Sequence, residues 1–390
     1  MENQAQPVLF DTIHTASGHT IGTMTLNDPK ALNALSVDMC KLMAAQLGNW
    51  ATDDNIVAII LKGSGEKAFC AGGNIRKLYD SMLDNPPLPN PYAVEFFQNE
   101  YRLYRQMHFY QKPLILWGNG IIMGGGLGLL AMCSHRIVTE TTRFAMPEIT
   151  IGLYPDATGS WFLARMPAKV GLFLGLTGAN CNANDAIVTS LAEYALASNE
   201  YDKLTKALVN ADWNAQKTNL HHIASHALAQ IHHTEHLAQS NIIRHFATIQ
   251  ALVNQGSIYD IDQALQTLDT GEDAWLAKAV ETYQHGSPVS AYLTKVMFEK
   301  AAKLSLEQVL YMEMNASLHC ASPQFNPDFR EGVRALLIDK DKLPNWSKTL
   351  AECSDDYIKS HLTSPFANGA HPFENWLNTD SCSAIFAENA

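Results

Sequence analysis

The sequence predicts an α/β protein whose C-terminal part is helical, and three observations predict it. Strand-like and helix-like segments alternate between residue 20 and about 140. Two glycine-rich turns stand where a strand-like run gives way to a helix-like one. After about residue 200 the strand signals fade, and Ala, Leu, Gln and His become prominent.

Thr20-Ile-Gly-Thr-Met-Thr-Leu26 alternates with the period of two that a half-buried strand requires. Ser36 then opens a helix-like stretch, and Val57-Ala-Ile-Ile-Leu61 is a continuous apolar run suited to a buried strand. The breaker cluster Asn85-Pro-Pro-Leu-Pro-Asn-Pro91 must be a loop, and Tyr92 to His108 has the apolar spacing of an amphipathic helix. Leu114-Ile-Leu-Trp117 is a third apolar run. It passes through Gly118-Asn-Gly120 into Met123-Gly-Gly-Gly-Leu-Gly-Leu-Leu130, and His135-Arg-Ile-Val-Thr139 reads as a further strand. Such alternation implies parallel pairing through right-handed crossovers. We expect three regions: a core over 1–200, a mainly helical stretch over 201–290, and a helical end over 291–390 with an irregular tail from about Ser364. No internal repeat is evident.

Composition narrows the function. The 390 residues are 47% hydrophobic, enough for a large core, and 27 Lys and Arg against 39 Asp and Glu give a net charge of -12. That balance argues against nucleic acid and anionic membranes as partners, and no run approaches the roughly 20 apolar residues of a membrane span. An anionic ligand would need a local basic pocket. Seven cysteines lie scattered with no CxxC pair, so free thiols in a reducing compartment are expected. The N-terminus lacks the pattern of a signal or transit peptide. The expected location is cytoplasmic, or the mitochondrial matrix if a presequence has been removed.

The two glycine turns are Ala71-Gly72-Gly73 and Gly124-Gly125-Gly126. Glycine lets backbone N–H groups approach a ligand, and a helix start offers unpaired donors with partial positive charge. Two such turns facing one another can hold a developing oxyanion, each donor being worth roughly 3 kcal/mol in a transition state. Tight strand-to-helix packing would use the same glycines. Glu148 and Asp156 sit in Phe144-Ala-Met-Pro-Glu148-Ile-Thr-Ile-Gly-Leu-Tyr-Pro-Asp156, an apolar, proline-bounded setting that points to a pocket. Burial side by side raises the pKa of at least one, as acid/base work near neutral pH requires. The alternative is that both acids cap turns.

These segments, in order and spacing, resemble the three signature segments of the crotonase (enoyl-CoA hydratase/isomerase) superfamily: Phe69-Cys-Ala-Gly-Gly-Asn-Ile75, Gly120-Ile-Ile-Met-Gly-Gly-Gly-Leu-Gly128 and Phe144 to Asp156. Within it they look most like the 3-hydroxyisobutyryl-CoA hydrolase branch. Pro29-Lys-Ala-Leu-Asn-Ala-Leu35 resembles the family's first coenzyme A contact, and Asp328 to Trp346 its C-terminal motif. The resemblance runs from about residue 10 to 350. It implies a crotonase-like spiral of ββα units with a helical C-terminal region that completes the coenzyme A site. It implies a small-molecule acyl-CoA substrate, and it allows a homo-oligomer. No cofactor is needed, since coenzyme A is part of the substrate, and no metal.

By position, the resemblance puts the oxyanion donors on Gly73 and Gly125. It makes Glu148 the acidic catalyst, Asp156 the second acid of the hydrolase branch, and Glu100 a further substrate-contacting acid, although a helix-surface Glu is ordinarily just solvated. Lys30, Leu32, Ala71 and Ile75 match positions lining the coenzyme A site. Where hydratases carry a first glutamate, shortly after the glycine triplet, this chain has Gly128. One Glu plus one Asp therefore suits hydrolysis of a short 3-hydroxyacyl thioester, with a place in valine catabolism, or less well double-bond isomerisation. A non-catalytic acyl-CoA-binding or assembly protein is the remaining alternative. Asn74 stands where Asp is common, and Ala157-Thr158-Gly159-Ser160 replaces a more glycine-rich stretch.

Other signals are weaker. Gly126-Leu-Gly128-Leu-Leu-Ala131, with Glu140 beyond it, satisfies a dinucleotide pattern in the wrong part of the chain. Seven histidines crowd 221–245, with His222/His226 and His232/His236 at helical spacing, and a solvated helix face is expected there. Cys70 has no nearby His to activate it.

Overall fold

The computed structural model describes residues 6–215 and 219–377. Cys382 and the last part of the tail lie outside the described residues. Among the described residues ten strands form two sheets. The larger holds β1 (Val8–His14), β2 (Thr20–Leu26), β3 (Ile56–Gly63), β5 (Leu114–Gly118), β7 (His135–Val138) and β10 (Tyr194–Ala195), in that spatial order. The smaller runs β4 (Ala68–Cys70), β6 (Ile121–Met123), β8 (Arg143–Ala145), β9 (Cys181–Asn182).

The chain winds as a spiral. Each turn lays a strand in the large sheet, then one in the small sheet, then a helix: β3, β4 and α2 (Ile75–Met82); β5, β6 and α4 (Gly125–Met132); β7, β8 and α5 (Gly159–Leu163). Parallel neighbours need such crossovers. Pairing is parallel from β2 through β10, as the alternation predicts, and parallel across β4, β6 and β8. Two edge pairs are antiparallel, β1 with β2 and β8 with β9. The first of these is a hairpin whose outer strand, with several exposed positions, has no clear alternation to announce it.

Local chemistry sets the helix ends. Ser36 caps α1 (Val37–Ala51) by accepting the Met39 N–H, and Asn90 caps α3 (Pro91–His108) by accepting the Tyr92 N–H. Pro91 follows at the first helical position, where its missing N–H loses nothing. Asn74 caps α2 by accepting the Lys77 N–H, a service that Asp would also perform. Gly124, at φ +47°, starts α4 in a backbone conformation that disfavours any side chain.

Beyond residue 200 the chain is helical. Helices Tyr201–Asn210 and Leu220–Ala229 cover the outer face of the large sheet, burying Ile60, Ile115, Trp117 and Ile137 with Leu204, Leu208 and Trp213. Helix Leu306–Cys320 packs on α3, and helix Asp328–Val333 packs on the turn Glu148–Ile151. His222 and His226 are exposed on a helix, but His232 and His236 follow the helix end in irregular chain and so do not share a helix face.

Candidate active site

Because β4, β6 and β8 are adjacent, the residues that follow them meet. β4 leads to Ala71-Gly72-Gly73, β6 to Gly124-Gly125, and β8 to Pro147-Glu148. Gly72 shows how close the first two are: a Cβ on it would lie 3.8 Å from the Gly125 nitrogen. Among the described residues neither the Gly73 nor the Gly125 N–H finds a hydrogen-bond acceptor, whereas the Ala71 and Asn74 N–H groups are taken by Leu32 and Leu35 carbonyls. The two turns thus present two free donors side by side.

A cavity of about 130 Å³ opens there, and Ala71, Gly73, Ile75, Glu100, Gly125, Glu148 and Asp156 all line it. Phe96, Phe97, Ile151 and Leu153 supply its apolar wall, and Leu336 closes it from the C-terminal region. Seven of the nine site residues read from the sequence therefore converge. The other two do not line the cavity: Leu32 braces Ala71 through its carbonyl at 3.0 Å, and Lys30 is exposed on the same turn.

Glu148 begins a one-turn 3-10 helix, Glu148–Ile151, and is 6% exposed. Its Oε1 reaches the glycine turn, 2.9 Å from where a Cβ on Gly124 would be, and its Oε2 is buried without a partner. A buried polar atom left bare in this way is expensive unless a ligand or water meets it. Asp156 follows after the Gly-Leu-Tyr-Pro turn, and its Oδ2 accepts the Tyr101 hydroxyl at 3.1 Å. Glu100 is not solvated: it is 2% exposed on the inner face of α3. The Tyr104 hydroxyl lies 2.8 Å from Glu100 Oε1 and 2.9 Å from the Gly125 carbonyl oxygen. One hydroxyl hydrogen cannot serve both acceptors, so both contacts are satisfied when Glu100 carries a proton and donates to Tyr104.

No Lys, Arg or His lines this cavity among the described residues. Burial therefore acts on the carboxyls without a compensating cation. Burial pushes Glu148 well above the usual carboxylate range, and the charge of Asp156 adds to the effect. Glu100 is pushed up by burial and then by Asp156. Asp156 rises from 3.8 to about 7 through burial, held back by the Tyr101 hydroxyl and the backbone N–H groups of Asp156 and Ala157.

A fourth acid, Glu313 on helix Leu306–Cys320, belongs to this cluster and escapes sequence reasoning. It is fully buried, and burial together with Asp156 pushes it to about 8. The signal that could have found it is a run of polar residues, Glu313, Asn315 and Ser317, alternating with Met312, Met314, Ala316 and Leu318 on one helix.

Gly128 bears on the chemistry. A Cβ there would lie 2.5 Å from the Ala157 carbonyl oxygen and 2.7 Å from Tyr104 Cζ. The Tyr104 ring fills the space into which a side chain at 128 would extend.

Spiral and cavity together define an enzyme of crotonase architecture. Two solved structures share the fold over nearly the whole chain. An enoyl-CoA hydratase from Rhodobacter sphaeroides 2.4.1 matches at 28% identity and a TM-score of 0.79, over 92% of this chain and 98% of its own. A carnitinyl-CoA dehydratase from Mycobacterium thermoresistibile matches at 31% and 0.80, over 95% and 99%. A family model described as enoyl-CoA hydratase/isomerase matches residues 21–362, and the chain belongs to that family. Among curated relatives, the mitochondrial 3-hydroxyisobutyryl-CoA hydrolases of Danio rerio and Homo sapiens are 37% and 34% identical. They cover 92% and 88% of this chain, and 89% and 86% of their own length.

Proposed function

We propose that the protein hydrolyses a short 3-hydroxyacyl-CoA thioester, with 3-hydroxyisobutyryl-CoA the foremost substrate, to the free hydroxy acid and coenzyme A. The observation that carries this reading is the pairing of Glu148 with Asp156 in a small cavity where Tyr104 leaves no room for a glutamate at 128. Hydration across a double bond calls for two glutamates around the acyl chain. The curated hydrolases named above support the same reading, and the small apolar cavity suits a short acyl group.

In this mechanism the thioester oxygen sits between the Gly73 and Gly125 N–H groups. As the carbonyl is attacked, negative charge meets donors already in place, which lowers the barrier without reorganisation. Ionised Glu148, whose Oε2 has no partner, either attacks the acyl carbon, forming an anhydride as the C–S bond breaks, or takes a proton from an attacking water. Coenzyme A leaves as the thiolate and takes up a proton that the reacting water supplies; in the covalent route that water opens the anhydride, which releases the hydroxy acid and restores Glu148. Asp156 hydrogen-bonds the substrate's 3-hydroxyl or orients Glu148, and Glu100 contacts the acyl group. Lys30, Leu32, Ala71 and Ile75 hold the coenzyme A portion, with Leu336 opposite. Coenzyme A enters only as part of the substrate. A step in valine breakdown follows from the substrate. The relatives named above are called mitochondrial, which favours the matrix over the cytoplasm, and the six cysteines among the described residues, all buried and free, fit either reducing compartment.

The test is Glu148→Gln. It is expected to abolish thioester hydrolysis while acyl-CoA still binds, and near-normal turnover would overturn the assignment. A shifted double bond in a 3-enoyl-CoA without thiol release would instead establish an isomerase in which Asp156 plays no part.

A further inference from the structure

We propose that Glu313 is a positioning residue for this reaction: it clamps the turn that follows Asp156 and so fixes the second acid against the cavity. The inference rests on Asp156 being a working acid of the hydrolase site.

The turn is one the chain does not adopt freely. Ala157 and Thr158 both have positive φ, +54° and +68°, in the left-handed region that disfavours any side chain. Neither is glycine, so something outside the turn must hold it. Glu313 supplies that hold. One carboxylate oxygen accepts the Thr158 N–H at 2.8 Å and the other accepts the Ser160 N–H at 3.0 Å, so both oxygens are used on one short segment. The same helix braces the other side of Asp156. Ser317, one turn on from Glu313, contacts the Tyr101 hydroxyl at 3.0 Å and the Tyr154 hydroxyl at 2.9 Å. Tyr101 holds Asp156, and the Tyr154 hydroxyl donates to the Glu313 carbonyl at 2.8 Å. Asp156 thus lies between two anchors on a single helix, and every hydrogen bond in the set is buried.

A purely apolar residue at 313 would leave two buried backbone donors empty, and burying a carboxylate for structure alone is a poor bargain. The placement makes sense if the geometry of Asp156 is what is being held. The titratable groups facing Asp156 are Glu100 and Tyr101 from α3, Tyr154 and Glu148 from the preceding turns, and Glu313 and Cys320 from helix Leu306–Cys320, all of them acids. Burial and then the charge of Asp156 push Glu313 up, while the Thr158 and Ser160 N–H groups it accepts favour its carboxylate form.

Glu313→Gln keeps the shape and volume but can accept only one of the two N–H groups. Its rate should be measured on 3-hydroxyisobutyryl-CoA per acyl-CoA binding site, against a wild-type enzyme shown to hydrolyse it. We expect kcat to fall at least tenfold with KM changed less than threefold, a split that a general loss of folded protein would not give once rates are counted per binding site. Ser317→Ala, a milder loss on the same helix, should lower kcat three- to tenfold with KM likewise held. Unaltered kcat per binding site in both variants would overturn the proposal. If Glu313→Gln does not fold, an unaltered kcat in Ser317→Ala overturns it alone. A wild type that releases no coenzyme A would instead count against the hydrolase reading on which the proposal stands.

Discussion

The ring of Tyr104 occupies the space that a side chain on Gly128 would need: a Cβ added there would lie 2.7 Å from Tyr104 Cζ and 2.9 Å from its hydroxyl oxygen. The missing second glutamate is thus built into the packing as well as into the sequence. Gly128→Ala should destabilise the fold by about 1 to 3 kcal/mol, as overpacking does. Gly128→Glu should lose hydrolase activity without gaining hydratase activity. Thermal melts and a crotonyl-CoA hydration assay check both, and efficient hydration by Gly128→Glu would show that Tyr104 yields easily.

Gly125 is confined on its other side by the same tyrosine. A Cβ on Gly125 would lie 2.6 Å from Glu100 Oε1 and 3.0 Å from the Tyr104 hydroxyl. Gly125→Ala must therefore push α3 away or tilt the Gly125 N–H from its direction. Loss of one oxyanion donor lowers kcat by about 10² to 10³, and steady-state kinetics with near-normal acyl-CoA binding is the expected signature.

Ionisation of the cluster gives a pH dependence with a definite sign. Catalysis needs carboxylates, and Asp156 is held protonated up to about 7 and Glu148 well above the usual range. The rate should therefore rise with pH through neutrality, and a profile already flat from pH 5 would contradict the cluster's burial.

Stability runs the opposite way. A carboxyl whose folded pKa is raised holds its proton while the unfolded chain has lost it, so stability falls as pH rises from about 4 towards the folded pKa. For Asp156, a rise from 3.8 to about 7 corresponds to about 4 kcal/mol once it is fully ionised. Glu148→Gln and Asp156→Asn should each raise the melting temperature at pH 8 and do little at pH 4. Melts at the two pH values decide, and a lower melting temperature at pH 8 would contradict the account.

How much of this was legible depends on range. Gly73, Gly125, Glu148 and Asp156 stand in short segments where a turn or an apolar frame marks them locally, so the sequence shows them. Glu100 was harder: its helix is amphipathic, and only the approach of the Gly125 turn shows that its face is buried. Glu313 lies 157 positions beyond Asp156, and nothing near it in the chain announces the turn it holds. The β1–β2 hairpin was missed because an edge strand exposed at several positions carries no apolar run.

The most direct measurement is coenzyme A release, followed with a thiol reagent, from 3-hydroxyisobutyryl-CoA beside 3-hydroxypropionyl-CoA, crotonyl-CoA and a 3-enoyl-CoA. The account predicts rapid thiol release from the two hydroxyacyl thioesters alone. No release from either, with hydration of crotonyl-CoA or a shifted double bond in the 3-enoyl compound, would contradict it.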